Sequence, residues 1–240
     1  MIFEFDGQRL DQLFIASNLK LQLPQPTPYL VTVQGRDGQA VRGAVLGAGS
    51  VSVELSKHGG TEDARRAAVS TLWQMMNTDE AKQLRIDSVS GPYYMAIPSG
   101  GGDMTFYIEA ESIPVQFALV EPARYGATRS ATLSGSAAQT ITIDGTYATW
   151  LKIESTDAVR NVSGLWGVRV DDQKFVCVEV PTSTASAVTI DCGAHLAEIN
   201  GAAVLVTLQS DWLKLEPGEH TIKIDKGSGT ATVTWTEMWL

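Results

Sequence analysis

Val51-Ser52-Val53-Glu54-Leu55-Ser56 alternates apolar and polar side chains without interruption. A period of two puts the two valines and Leu55 on one face of a strand and Ser52, Glu54 and Ser56 on the other. The same reading applies to Val115, Phe117 and Leu119, to Ile222 and Ile224, and to Val233 and Trp235. Between such runs stand Asp6-Gly7, Asp37-Gly38, Asp144-Gly145 and Asn200-Gly201. These pairs tolerate positive φ and are the strongest short-range hairpin signal. Gly100-Gly101-Gly102-Asp103 reads as a looser turn between strands at 93–97 and 104–108. The chain is therefore mainly β.

One segment breaks the pattern. Residues 61–84 read TEDARRAAVSTLWQMMNTDEAKQL. Thr61 is placed to cap a helix, with Glu62 and Asp63 in the first turn where the dipole favours acids. Ala64, Ala68, Leu72, Met75 and Met76 recur at spacings of three and four and give one apolar face, with Arg65 and Arg66 largely on the polar side. Asn77 is the expected stop, which makes a helix of about four turns. A β-rich half with one main helix is an α+β domain. The second half has no comparable helix. Strands are expected at 140–143, 150–154, 167–170, 174–180, 188–191, 205–208, 220–225 and 230–239, the regular spacing of an antiparallel β-sandwich. Glu121-Pro122-Ala123-Arg124-Tyr125-Gly126 marks the junction, which gives two domains, 1–124 and 125–240.

Composition limits the function. In 240 residues there are 18 Lys plus Arg against 27 Asp plus Glu, a net charge of -9. Residues 1–124 hold 10 basic and 14 acidic residues and residues 125–240 hold 8 and 13, so neither half hides a basic module. That argues against nucleic-acid binding and against anionic membrane surfaces. The opening MIFEFDGQRL lacks the basic region and apolar core of a signal peptide, so synthesis in the cytoplasm is expected. Cys177 and Cys192 are the only cysteines and read as two buried thiols.

A search for chemistry finds no site. His58-Gly59-Gly60 lacks the nucleophile elbow that a lipase-like oxyanion segment requires, and its glycines read as the turn that feeds the helix. Asp191, Cys192 and His195 are half a zinc site with no second pair. Asp171-Asp172 lacks a calcium-ligand ladder and reads as a hairpin tip. Asn161-Val162-Ser163 fits a glycosylation sequon but has no secretion signal to give it use. Six tryptophans, five of them (Trp150, Trp166, Trp212, Trp235, Trp239) in the second half, are read as mostly core, with a glycan platform as the alternative. No catalytic residue, cofactor or metal ligand is assigned.

Four stretches together carry a likeness. They are Phe3-Glu4-Phe5-Asp6-Gly7; Val33-Gln34-Gly35-Arg36-Asp37-Gly38; Leu84-Arg85-Ile86-Asp87 through Tyr93-Tyr94-Met95-Ala96 to Glu121-Pro122 and Tyr125-Gly126; and the close from Val188-Thr189-Ile190-Asp191 through Ile199-Asn200-Gly201, Trp212-Leu213-Lys214-Leu215 and Glu216-Pro217-Gly218 to Trp239-Leu240. In this order, over the whole chain, they resemble the distal tail proteins of siphophages and related prophages. The chain departs at Glu121, where Asp is more usual, and at His220, where Asn is common.

The resemblance implies a non-enzymatic virion protein. The first domain would form a hexameric ring and the second a galectin-like β-sandwich outside it. The ring would join the tail tube protein to the tail-tip or baseplate hub and leave a channel for DNA. Its location would be the tail tip of the virion, after assembly in the host cytoplasm. A carbohydrate-binding module is the main alternative. Against it, Trp166-Gly167-Val168-Arg169 lacks the Glu of the galectin sugar site, and no His-x-Asn-x-Arg occurs. A hydrolase is a further alternative. A closed ring needs heterologous contacts. Tyr29, Val31, Val33, Val41 and Val45 are expected to form one apolar stripe on a long hairpin and to supply that contact; the competing expectation is that they cover their own core.

Overall fold

The computed structural model of the chain describes residues 2–35, 37–87, 90–101, 105–106 and 110–240. The fold is mainly β, and the chain divides into two compact units, Met1–Tyr125 and Gly126–Leu240.

The first unit runs β1 (Phe3–Phe5), β2 (Gln8–Arg9), α1 (Leu10–Leu13), β3 (Ile15–Gln22), β4 (Pro26–Thr32), β5 (Gln39–Leu46), β6 (Ser50–His58), α2 (Glu62–Met76), β7 (Lys82–Ile86), β8 (Tyr94–Gly101), β9 (Thr105–Phe106) and β10 (Ala110–Leu119). One antiparallel sheet has the order β2-β1-β7-β8-β10-β6-β3, with β9 on β10. Alternation decides which face is buried. Val51, Val53 and Leu55 of β6 and Ile113, Val115 and Phe117 of β10 lie in the core with Phe3 and Phe5. The Phe5 and Phe117 ring centroids are 4.9 Å apart.

Helix α2 begins as its sequence dictates. The Thr61 hydroxyl accepts from the Ala64 N–H at 3.2 Å, and Asn77 is the C-cap. The buried stripe is Ala68, Val69 and Leu72, with Met75 and Met76 half-buried. Ala64, expected on that stripe, is exposed: the helix meets the core with its later turns, where Val69 completes the three-four spacing. The four-residue α1 is too short to leave a periodic signal.

Strands β3 and β6 belong to the sheet, whereas β4 and β5 pair only with each other among the described residues. All four nevertheless make one ribbon. Gln22 faces Ser50, Pro26 faces Leu46, and between them the Gly47 N–H donates to the Gln25 carbonyl at 3.1 Å in the same register. The register slips by one residue at each end, between Ser17 and Lys20 and between Tyr29 and Leu30. The β4–β5 half is thus an arm, about 23 Å long for seven residues. Gly49 lets the strands meet at its base, since a Cβ there would lie 2.3 Å from the Gln22 carbonyl oxygen.

The second unit contains β11 (Arg124–Ser134, from Gly126 onward), β12 (Gln139–Ile143), β13 (Thr149–Trp150), β14 (Lys152–Ala158), β15 (Leu165–Val170), β16 (Lys174–Glu179), β17 (Ser186–Asp191), β18 (Leu196–Ile199), β19 (Ala202–Val204), β20 (Lys214–Leu215), β21 (Gly218–Lys226) and β22 (Thr230–Trp239). One sheet has the order β11-β22-β14-β17-β18-β19 and the other β12-β21-β15-β16. Ile153, Ile190 and Val233 of the first and Val168, Val176 and Ile222 of the second share one core, the expected antiparallel sandwich.

Turn chemistry is right at two tight hairpins, and Asp37-Gly38 lies as expected in the loop of the β4–β5 hairpin, with Gly38 at φ of 82°. Asp6 and Gly7 take φ of 51° and 73°, and Asn200 and Gly201 take 51° and 78°, as two-residue hairpin loops require. Asp144-Gly145 is no hairpin turn, because β12 pairs with β21. Gly145 instead allows a close approach, for its Cβ would lie 2.2 Å from the Met238 carbonyl oxygen. Strand β8 runs through Gly100 and Gly101, so the glycine turn expected there does not begin at Gly100; Gly102, Asp103 and Met104 lie outside the described residues. The strand expected at 205–208 is coil bridged only at Val206, and β18 and β19 form the neighbouring hairpin instead. The strand expected at 150–154 is split at Leu151 into β13 and β14. The Pro122–Gly126 junction is partly strand, and Tyr125 is tied into the first unit by reciprocal bonds with Tyr93 at 2.8 and 2.9 Å.

Two consequences can be measured. Gly49→Ala should destabilise the first unit by about 1–3 kcal/mol in denaturant unfolding, because backbone must move. Gly43→Ala, with open space at its Cβ, should stay within about 0.5 kcal/mol. Asp11 accepts from Arg9 at 2.5 and 2.7 Å and from the Phe3 N–H at 3.2 Å, and the Arg9 guanidinium pulls its carboxyl down to about 2. A depressed folded-state pKa adds stability above the ordinary carboxylate range that is lost as pH falls toward 2. The melting temperature of the first unit should drop across that window, and Asp11→Asn should flatten the drop.

Candidate assembly surfaces

The arm carries the five expected contact residues, and the structure places all of them on the outside. Tyr29, Val31, Val33, Val41 and Val45 are exposed, Val41 by 68%. The expectation that they cover their own core is overturned: none belongs to either core cluster.

They do not form one stripe. Opposed residues of an antiparallel pair share a face. Tyr29 faces Gly43, Thr27 faces Val45 and Val31 faces Ala40, so Tyr29, Val31 and Val45 lie on one face. The register shift after Tyr29 then sets Val41 opposite Leu30, on the other face. Val33 lies one residue beyond β4, in the loop. The ribbon is therefore apolar on both sides, with Leu30 an addition that the period-two reading passed over. Two-stranded ribbons of this kind are marginal in water without a covering partner.

A second apolar feature lies beside α2. Leu72, Trp73, Met76, Pro98, Ile113 and Pro114 line a groove of 330 Å³. Trp73 is half exposed there. On the same sheet Glu54 accepts from the Ser112 hydroxyl at 2.5 Å and from the Asn18 amide at 2.6 Å, and these bonds hold its carboxyl below the usual range.

Four of the five tryptophans of the second unit pack in or on its core. Trp166 and Trp235 are buried, and the Trp166 indole N–H donates to the Ser228 carbonyl at 3.2 Å. Trp150 and Trp212 pack half-buried on the core. His195 stacks on Trp212 at 5.0 Å and meets Trp150 edge-on at 5.5 Å, and the Lys214 ammonium lies 5.2 Å over Trp150. Protein groups thus lie against the rings of Trp150 and Trp212.

The remaining candidates are dispersed. The Asp191 carboxylate accepts from the Gly193 and Ala194 N–H groups and shapes the loop that carries His195, while Cys192 points into the core. Asp171 and Asp172, at φ of 50° and 54°, form the hairpin tip expected between β15 and β16. There Asp171 accepts from the Thr221 N–H at 2.8 Å and pairs with His220 Nδ1 at 2.6 Å, so it closes a turn. Gly59 and Gly60, at φ of 68° and 75°, feed α2 as read. Asn161 of the sequon serves its own loop, accepting from the Ser163 and Leu165 N–H groups. Among the described residues, no three His, Cys, Asp or Glu side chains come together as a metal site.

Comparison with known proteins bears on a chain with surfaces of this kind. Residues 144–239 match the family model described as siphovirus-type tail component, C-terminal domain. That stretch lies within the second unit. The likeness to siphophage distal tail proteins read in the sequence is thereby borne out. Among solved structures, the Dit (gp 19.1) protein of phage SPP1 matches with a TM-score of 0.79 at 18% identity, covering 100% of this chain and 99% of that one. That protein is described as a paradigm of the hub adsorption apparatus in phages infecting Gram-positive hosts. A chain of the phage p2 baseplate, in an activated conformation with Sr, matches at TM-score 0.50 and 8% identity over 98% of this chain and 90% of that one. A search of curated protein sequences finds no match. At these identities the structural likeness establishes the fold, and it extends to both units.

Cys177 and Cys192 are free and buried, and burial pushes both thiols up to about 11. At pH 8 the folded protein should therefore react with a thiol reagent far more slowly than the unfolded chain, which should titrate two thiols promptly. Prompt reaction of both thiols in the folded protein would contradict their burial.

Proposed function

We propose that this chain is a structural, non-catalytic part of a siphophage tail: the distal tail hub, six copies of which form a ring between the tail tube protein and the tail-tip or baseplate hub. The observation that carries this reading is the fold likeness to the SPP1 Dit protein across the full length of both chains. The tail component match over 144–239 supports it independently.

The physical features fit that role. The first unit supplies ring formation and the second is the outer sandwich. The ring would use the arm, whose apolar faces are exposed among the described residues. A net charge of -9 suits a channel through which DNA must pass without being held. The hub would sit at the tail tip of the virion, having assembled in the host cytoplasm, and would bind neither membrane nor a specific nucleic-acid sequence.

Light scattering after size exclusion should give about 155 kDa, six copies of a 25.8 kDa chain, and negative-stain microscopy should show rings. Replacing Val31 and Val33 together with Asp should abolish the rings, since each buries an unpaired charge in the contact at a cost of several kcal/mol. Because both side chains are exposed, circular dichroism should show the double variant still folded. A strict monomer at every concentration would contradict the hub reading. A folded double variant that still forms rings would contradict only the role of the arm.

A further inference from the structure

His220 sits between two acceptors. Its Nδ1 lies 2.6 Å from Asp171 Oδ2, and its Nε2 lies 2.8 Å from the Glu216 carbonyl oxygen. The ring is sheltered, its side chain 15% exposed. Neither partner has a proton to give. The carbonyl oxygen accepts only. Burial opposes the Asp171 carboxylate, but the His220 bond and the Thr221 N–H outweigh it and hold the carboxyl below the usual range, so it too accepts only. A neutral imidazole has one N–H and a charged one has two. Only the charged ring makes both bonds.

The two bonds join different parts of the second unit. One reaches the hairpin tip between β15 and β16, and the other closes the turn at 216–218 that leads into β21. Asp171 is held against the ring by backbone. Its second oxygen accepts from the Thr221 N–H at 2.8 Å, and its own N–H donates to the Thr221 carbonyl at 2.8 Å. On the turn, by contrast, Pro217 offers no N–H and residues 216–219 are exposed.

We propose that His220 is a proton-dependent latch on the 216–218 turn: protonated, it ties the Glu216 carbonyl to the Asp171 hairpin tip; deprotonated, it keeps its Nδ1–H on Asp171 and releases the turn. The release is directional, because the remaining N–H stays with the charged and stronger acceptor. The bare Nε2 then faces the Glu216 carbonyl lone pair to lone pair. The folded unit thus gains a bond by holding a proton. That contribution is present where the ring is charged and is lost as pH rises through the range, about 5 to 8, in which imidazoles titrate. The sign is opposite to that of Asp11, whose contribution is lost as pH falls. The charged groups around the ring are Asp171 and Asp172 on the β15–β16 turn, Lys174 on β16, and Glu216, Glu219 and Lys223 on its own turn and strand, with Lys223 paired to Asp172 at 2.6 Å. On β12 the opposite residue is Ile141, which carries no charge.

Amide exchange read by mass spectrometry on the full chain tests the latch. After correction for the intrinsic pH dependence of exchange, protection of residues 215–219 should fall by about ten-fold or more between about pH 5.5 and about pH 8.5, the loss of one bond made by a charged group. Peptides from β14 and β17 should keep their protection. His220→Asn retains an amide donor for Asp171 and does not titrate, so protection of its turn should be the same at both pH values. Equal protection of the turn at both pH values in the unmodified chain overturns the proposal, whatever the variant does. A fall that persists in a folded His220→Asn chain overturns it too, since another group would then be titrating. The readout is local to the second unit and leaves the hub reading untouched either way.

Discussion

The structure of the first unit depends on one hydrogen-bond ladder. It runs in a single register from Lys20 opposite Ser52 to Tyr29 opposite Gly43. Inside the sheet, β6 is held on both sides, by β3 and by β10, and its valines reach the core. Beyond Gly47 and Gly49 the same ladder continues, and among the described residues no further strand pairs with it. The arm is rigid enough to project because its base is anchored in a packed sheet. Its apolar side chains are exposed among the described residues.

That constraint links fold to function. Side chains with catalytic, metal-binding or sugar-binding chemistry have structural roles in the second unit. Asp191 shapes a loop, Asp171 closes a turn, and His195 and Lys214 lie on Trp212 and Trp150. The arm is a backbone-paired ribbon whose exposed side chains are apolar on both faces, which suits it to binding protein. The full-length likeness to the SPP1 Dit protein is one of fold, and it extends to the unit that carries this surface.

Much of this was legible in the sequence where a local rule decides the outcome. Alternation placed Val51, Val53 and Leu55 in the core, Thr61 capped its helix, and Asn200-Gly201 turned its hairpin. What was not legible depends on pairing between distant residues. The slip after Tyr29 moves Val41 to the face of Leu30, and no local pattern announces it. Asp144-Gly145 has the composition of a hairpin turn, yet the glycine is needed for the approach of Met238, nearly a hundred residues away. Leu205 and Leu208 look like strand residues, and both are exposed on a loop.

The central claim is that the arm is exposed in the single chain and covered in the assembly. Amide hydrogen exchange compares the two directly, in dilute protein dissociated to monomer and in concentrated, assembled protein. The account predicts that residues 26–46 exchange freely in the monomer and become strongly protected on assembly, while the core strands β6 and β10 change little. Equal exchange of the arm in both states, with new protection appearing elsewhere, would contradict it.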